Sequence, residues 1–174
     1  MPFETDLARI WKLAHERNDE NWAFRAFLKQ TDIPWRRVDR LVHELFRDLA
    51  ARIDCTQCGN CCRVMSPVLK PVDVQRLAAR LGLTPDAFQA QYLKEDPDGE
   101  GWAWRALPCS FLRDNHCAVY EDRPQVCRSY PHLQKREFVC RSIRVIENCA
   151  VCPIVFNVYE GLKDALWRHA PEPD

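Results

Sequence analysis

The segment Cys55-Thr56-Gln57-Cys58-Gly59-Asn60-Cys61-Cys62, four cysteines in eight residues, constrains this chain more than any other. Free cysteine fills cores at scattered positions, so this density points to metal ligation or disulfides. Two residues between cysteines let both sulfurs turn toward one metal, which is why the spacing recurs in zinc knuckles and iron–sulfur loops. Gly59 follows the second cysteine, where a tight loop needs a positive φ to bring backbone amides close to sulfur. The neighbours Cys61 and Cys62 diverge by about 100° in a helix and point to opposite faces of a strand. The pair therefore suits two centres, or two metals of one cluster, better than one tetrahedral ion.

Six further cysteines follow, Cys109, Cys117, Cys127, Cys140, Cys149 and Cys152, making ten in 174 residues. Compartment separates disulfides from metal. The first residues, Met1-Pro2-Phe3-Glu4-Thr5-Asp6, carry acids where a secretory signal carries a basic start and an apolar run. The longest apolar run, Ala150 to Phe156, stops well short of the ~18 residues of a membrane span. The expectation is a cytoplasmic chain with reduced thiols and metal ions as its partners; a disulfide-stapled domain is the alternative. Lysine plus arginine number 25 and aspartate plus glutamate 25. That balance leaves no cation surplus for nucleic acid or an anionic membrane. No protein partner is indicated.

Apolar spacing predicts helices from Leu7 to Ile53, through Leu7, Ile10 and Trp11, then Trp22, Phe24 and Phe27, then Val38, Leu41, Val42, Leu45 and Leu49. Thr31-Asp32-Ile33-Pro34 breaks the run, with Asp32 as the expected N-cap. Pro71 to Leu81 reads as a short helix stopped by Gly82, and Thr84-Pro85 as the cap and first position of the next. Trp102-Ala103-Trp104 and Cys117-Ala118-Val119-Tyr120 are strand candidates, able to form a small hairpin. Arg123-Pro124 opens a helical turn leading to Cys127. Ile154 to Trp167 closes the chain as an amphipathic helix, with Val155, Val158, Tyr159, Leu162 and Leu166 on one stripe. The expected fold is mainly α with a few short strands, its helices packed around an irregular cysteine-rich metal-binding core. Residues 1–53 are expected as a helical segment packed on a cysteine-cluster domain at 54–174, the whole forming one compact unit.

Between Cys109 and Pro131 the chain carries Cys109-Ser110-Phe111-Leu112, then Cys117-Ala118-Val119-Tyr120-Glu121-Asp122-Arg123-Pro124-Gln125-Val126-Cys127-Arg128-Ser129-Tyr130-Pro131. With Cys55, Cys58, Gly59, Cys61 and Cys62, this resembles the CxxCxxCC family of zinc- or iron-chelating domains. Ser110 stands where the family has proline and Val119 where it has isoleucine; neither is a ligand type. The resemblance runs from Cys55 to about Cys152 and implies a metal-chelating domain without implying one reaction. The family includes flagellin lysine methylases, in which the module accompanies a much longer chain. No glycine-rich nucleotide-binding fingerprint occurs here, so methyl transfer is not expected.

The ten cysteines are thus the candidate metal ligands: Cys55, Cys58, Cys61, Cys62, Cys109, Cys117, Cys127, Cys140, Cys149 and Cys152. In bacterial ferredoxins a CxxCxxC run supplies three ligands and a remote Cys-Pro the fourth. By that logic Cys55, Cys58, Cys61 and Cys152 hold one centre, while Cys62, Cys109, Cys117 and Cys127 hold another. Cys140 and Cys149 are left as alternative ligands or core thiols. A thiolate-rich set selects an iron–sulfur cluster or a zinc ion, in one or two centres. A four-thiolate site carries about −2 net charge, which nearby guanidinium groups offset. Arg63, Arg123 and Arg128 are the candidates, with Arg123 able to pair instead with Glu121 or Asp122. His116 and His132 flank the cluster but read more readily as supporting than as ligating residues. His15, His43 and His169 are expected to face solvent on helices away from the cysteines. An enzyme is not required by any of this; a thiol-based metal-delivery protein or thiol enzyme is the alternative.

Overall fold

The computed structural model describes residues 3–168; His169 lies outside them. In chain order the elements are α1 (Leu7–Glu16), α2 (Asn18–Gln30), α3 (Trp35–Arg52), α4 (Cys55–Cys58), α5 (Asn60–Val64), α6 (Pro71–Arg80), α7 (Pro85–Tyr92), β1 (Leu93–Glu95), β2 (Trp102–Trp104), β3 (Leu112–Arg113), β4 (His116–Cys117), α8 (Gln125–Ser129), α9 (Phe138–Cys149) and α10 (Pro153–Lys163). The fold is mainly helical, with only short antiparallel strand pairs, as the sequence predicts. No helix among the described residues is long and apolar enough to cross a membrane. The chain divides into two compact units. One joins the residues up to Asp54 to those from Pro131 onward, and the other is Cys55–Tyr130.

The first unit is a helical bundle built on α10, which packs against α1, α3 and α9. The sequence predicts a one-sided helix here, but Pro153 through Tyr159 and Gly161 through Lys163 are all buried. A helix enclosed on every side is central rather than peripheral. Phe24 meets Tyr159 edge to face at 5.4 Å, and the Tyr159 hydroxyl donates to Asn21 O at 3.0 Å. Lys163, fully buried in this interior, is paired with Glu160 at 2.6 Å and Glu20 at 3.3 Å. Asp6 caps α1 by accepting from Arg9 N at 2.8 Å. The expected Asp32 cap does not form. Helix α3 starts at Trp35 behind Pro34, with no side-chain cap.

Helix α9 has no start signal of its own, because Glu137 before it is left-handed with φ 60° and offers no capping bond. The cap comes from α3 instead. Asp39 accepts from Glu137 N at 3.0 Å and from Phe138 N at 2.9 Å, satisfying two of the orphan donors of that terminus.

In the second unit, Thr84 caps α7 as expected, its hydroxyl accepting from Ala87 N at 3.2 Å. The Trp102–Trp104 strand pairs with Leu93–Glu95, not with the Cys117 segment. The latter is a strand only as far as Cys117 and belongs to its own hairpin, with Leu112 opposite Cys117 and Arg113 opposite His116. Asp114 and Asn115, both at positive φ, make the two-residue turn. That conformation matches the right-handed twist of the strands and suits Asp and Asn. The core here is Leu69, Val74, Leu77, Phe88, Leu93, Trp104, Phe111 and Val119, with Cys109 and Cys117 packed against it.

Candidate metal centre

Helices α4 and α5 are single turns joined at Gly59, whose φ is 60°. The positive φ matches the sequence expectation, and the structure adds a second reason for glycine. A Cβ at this position would lie 3.0 Å from Asn115 O and 3.2 Å from Leu112 Cδ1. The cysteine loop and the hairpin tip are in backbone contact. Arg63 reinforces that junction by donating to Cys58 O at 2.9 Å and to Asn115 Oδ1. Gly59→Ala is therefore expected to lower stability by roughly 2 kcal/mol, from the left-handed backbone and the crowded Cβ together. An unchanged denaturation midpoint would contradict it.

From this junction the thiols follow. The backbone links Cys62 to the next cysteine segment, since Cys109 N donates to Cys62 O at 2.7 Å. Cys62, Cys109, Cys117 and Cys127 are each half-buried and free. Burial, together with Cys62 and Cys117, pushes Cys109 up to about 11. Cys127 is pushed up to about 12 by burial and then by Cys62, Cys109 and Cys117. Cys117 is likewise raised, by burial and by Cys62. Cys127 thus feels the other three, Cys109 feels Cys62 and Cys117, and Cys117 feels Cys62. Cys62 goes the opposite way, to about 7, because Cys61 hydrogen-bonds to it and Arg63 stands nearby.

Two further details favour sulfur as an anion. The N–H of Phe111 donates to Cys109 sulfur, and the N–H of Val119 to Cys117 sulfur. Hydrogen bonds of this kind tune metal-bound thiolates. Arg123 lowers the pKa of both Cys117 and Cys127. It lies 3.5 Å over the Tyr120 ring and donates to Tyr120 O at 3.0 Å, rather than pairing with Glu121 or Asp122. Arg128 is placed differently. It donates to Arg123 O at 3.0 Å and to Glu121 O, bracing the turn before Cys127. His116 turns its Nδ1 to Asp114 O at 2.8 Å.

The donor chemistry suits a thiophilic ion or cluster. Thiols held neutral by burial release their protons once a cation takes the protons' place. Among the described residues, no group of three His, Cys, Asp or Glu side chains already has the arrangement of a metal cage. The four sulfurs share a neighbourhood rather than a finished coordination sphere.

The remaining cysteines divide. Cys55, Cys58 and Cys61 lie on α4 and α5, with Cys55 exposed. Cys140, Cys149 and Cys152 belong to the helical unit. Cys140 is exposed in the first turn of α9, while Cys149 is 1% exposed at its end and burial drives its pKa far up.

Two residues that sequence reasoning passes over hold the Cys127 segment in place. Asp73, 1% exposed in α6, accepts from Gln125 N at 3.0 Å, Lys70 N at 3.2 Å and Arg76 at 2.6 Å. Arg76 also donates to Asp122 O at 3.1 Å and Arg123 O at 3.0 Å. In sequence Asp73 is an ordinary acid in a first helical turn, and nothing nearby signals a partner 52 residues on.

Half-buried thiols gathered by a glycine-pinned loop, a hairpin and an arginine-braced turn define a cysteine-cluster protein. The chain belongs to the CxxCxxCC family: the family model, described as a proposed zinc- or iron-chelating domain, matches residues 54–152. No curated protein and no solved structure shows significant similarity to it.

Proposed function

We propose that this protein is a thiolate-ligated metal module, holding an iron–sulfur cluster or zinc, with Cys62, Cys109, Cys117 and Cys127 as one ligand set. The mutual electrostatic coupling of these four half-buried thiols carries the reading. Cys55, Cys58 and Cys61, on the two short helices beside Cys62, supply ligands for a second centre. Cys149, 1% exposed at the end of α9, serves as a core thiol. Arg63 and Arg123 offset the negative charge of the thiolates. A four-thiolate zinc is closed and structural, whereas a cysteine-ligated cluster adds electron transfer or redox sensing. The ferredoxin-like CxxCxxC run favours iron–sulfur, and thiols kept reduced suit the cytoplasm.

A second reading, metal delivery or thiol chemistry, rests on Cys62. Its pKa of about 7 gives it the thiolate character that reactive cysteines need.

Anaerobic purification, an absorption spectrum, and iron, zinc and acid-labile sulfide counts test the first reading. Stoichiometric metal is the expected result, and a folded, metal-free protein would refute it. Rapid alkylation of one or two cysteines in the metal-loaded protein would favour the second reading, and complete protection would exclude it.

A further inference from the structure

Outside the cysteine unit, a groove of about 850 Å³ runs along the outer face of α3, lined by Arg36, Arg40, His43, Phe46, Arg47 and Arg136 among others. Arg36, Arg40, His43 and Arg47 recur at four-, three- and four-residue intervals. That spacing places them on one helix face. Val38, Val42 and Leu49 form the opposite, buried stripe. Among the described residues none of Arg36, Arg40, Arg47 and Arg136 is in an ion pair, whereas Arg9, Arg17, Arg52, Arg144 and Arg168 of the same unit are. The groove's carboxylates are Asp39 and Glu44, and both Asp39 oxygens already accept backbone N–H bonds from α9. His43 departs from the expected solvent-facing position: its Nε2 is shielded from water and has no hydrogen-bond partner among the described residues. A shielded polar atom without a partner marks a place where one is missing.

We propose that this groove binds a small ligand carrying a chain of phosphoryl groups. Guanidinium groups are permanently charged and offer phosphate a planar, two-pronged donor set. From Arg36 to Arg47 the helix advances about 16 Å at 1.5 Å per residue. One orthophosphate cannot span that distance, and a phosphoryl chain can. Aligned cations that make no ion pair repel one another, and a linear polyanion turns that repulsion into affinity. The volume falls within the range of small-molecule sites, and Phe46 offers an apolar surface beside the cations. Two sources share the chemistry, inorganic polyphosphate and a nucleoside polyphosphate.

Calorimetric titration of the metal-containing protein with tripolyphosphate, and separately with magnesium-free ATP, tests the proposal in about 0.1 M salt, where surface charges are screened beyond about 10 Å. Saturable one-to-one binding is expected, weakened about tenfold or more in Arg40→Gln/Arg47→Gln and unchanged in Arg144→Gln. All three of these arginines are exposed, and circular dichroism confirms that the variants fold. Because every variant keeps the same cysteines, loss of metal to the phosphate probe would act on all of them alike. Orthophosphate should bind about tenfold more weakly or not at all. Tighter ATP binding that Phe46→Ala abolishes assigns the nucleotide, and equal binding of both probes assigns the bare chain; either supports the proposal. It is overturned if neither probe saturates below the millimolar range, if the double variant binds like the parent, or if hexa-aspartate or a short single-stranded oligonucleotide binds more tightly.

Discussion

Cys127→Ser is expected to lose bound metal and to unfold the Cys55–Tyr130 unit. The substitution removes a thiol that senses three others, and the four come from segments far apart in sequence. A metal bridging such positions closes those loops, and its binding energy becomes folding energy. Structural zinc in small domains contributes on the order of 10 kcal/mol, more than the whole net stability of many domains. Serine is close to isosteric, so a loss larger than about 2 kcal/mol points to coordination rather than packing. Metal analysis and denaturant unfolding of the variant against the parent provide the check. Full metal content with an unchanged midpoint would remove Cys127 from the ligand set. Cys149→Ser is the contrasting case: it should lower the midpoint through core polarity while leaving metal content intact.

Asp73→Ala is the second large effect. The carboxylate is buried, and its removal strands the Gln125 and Lys70 N–H groups together with the Arg76 guanidinium. Breaking one side of a buried charged contact costs about 3 kcal/mol or more. The loss should appear as a lowered unfolding midpoint and, because Gln125 opens the helix bearing Cys127, as weaker metal retention. Burial alone would raise the Asp73 pKa. The bonds from Gln125, Arg76 and Lys70 outweigh it and hold the group below its ordinary 3.8. A depressed carboxylate pKa contributes stability that is complete above the ordinary value and disappears as pH falls through the folded one. The stability gap between parent and Asp73→Asn should therefore be constant from neutral pH to about pH 5 and narrow below about pH 4. A gap that does not change with pH would show that the carboxylate's charge is not what holds the Cys127 segment.

The sequence made the second unit's chemistry legible because its signals are local. The CxxC spacing, the glycine with positive φ, the Thr84-Pro85 start and the Arg123-Pro124 turn each depend on residues a few positions apart. What escaped depends on distance. Helix α9 is invisible to a search for caps, since its cap is Asp39 of another helix. The complete burial of α10 reflects how many helices surround it, which the apolar stripe of one helix does not report. Leu93–Glu95 does not read as a strand in sequence, because its partner, not its own pattern, makes it one. Asp73 and Asn115 are polar residues of common type, singled out only by what folding brings to them. Arg128, a candidate for charge compensation because it lies next to a cysteine in sequence, also braces the turn through backbone carbonyls, a role its sequence position does not reveal.

The helical unit is discontinuous, its first three helices separated from α9 and α10 by the whole of Cys55–Tyr130. On the ribosome α1, α2 and α3 emerge with Ile10, Phe24 and Val42 still lacking the helix that buries them, and the cysteine segment is translated in full before α10 appears. Synthesis therefore delivers the inserted unit first and its host last, so that a nascent chain has every thiol of Cys55–Tyr130 at hand while its amino-terminal helices still wait for their centre.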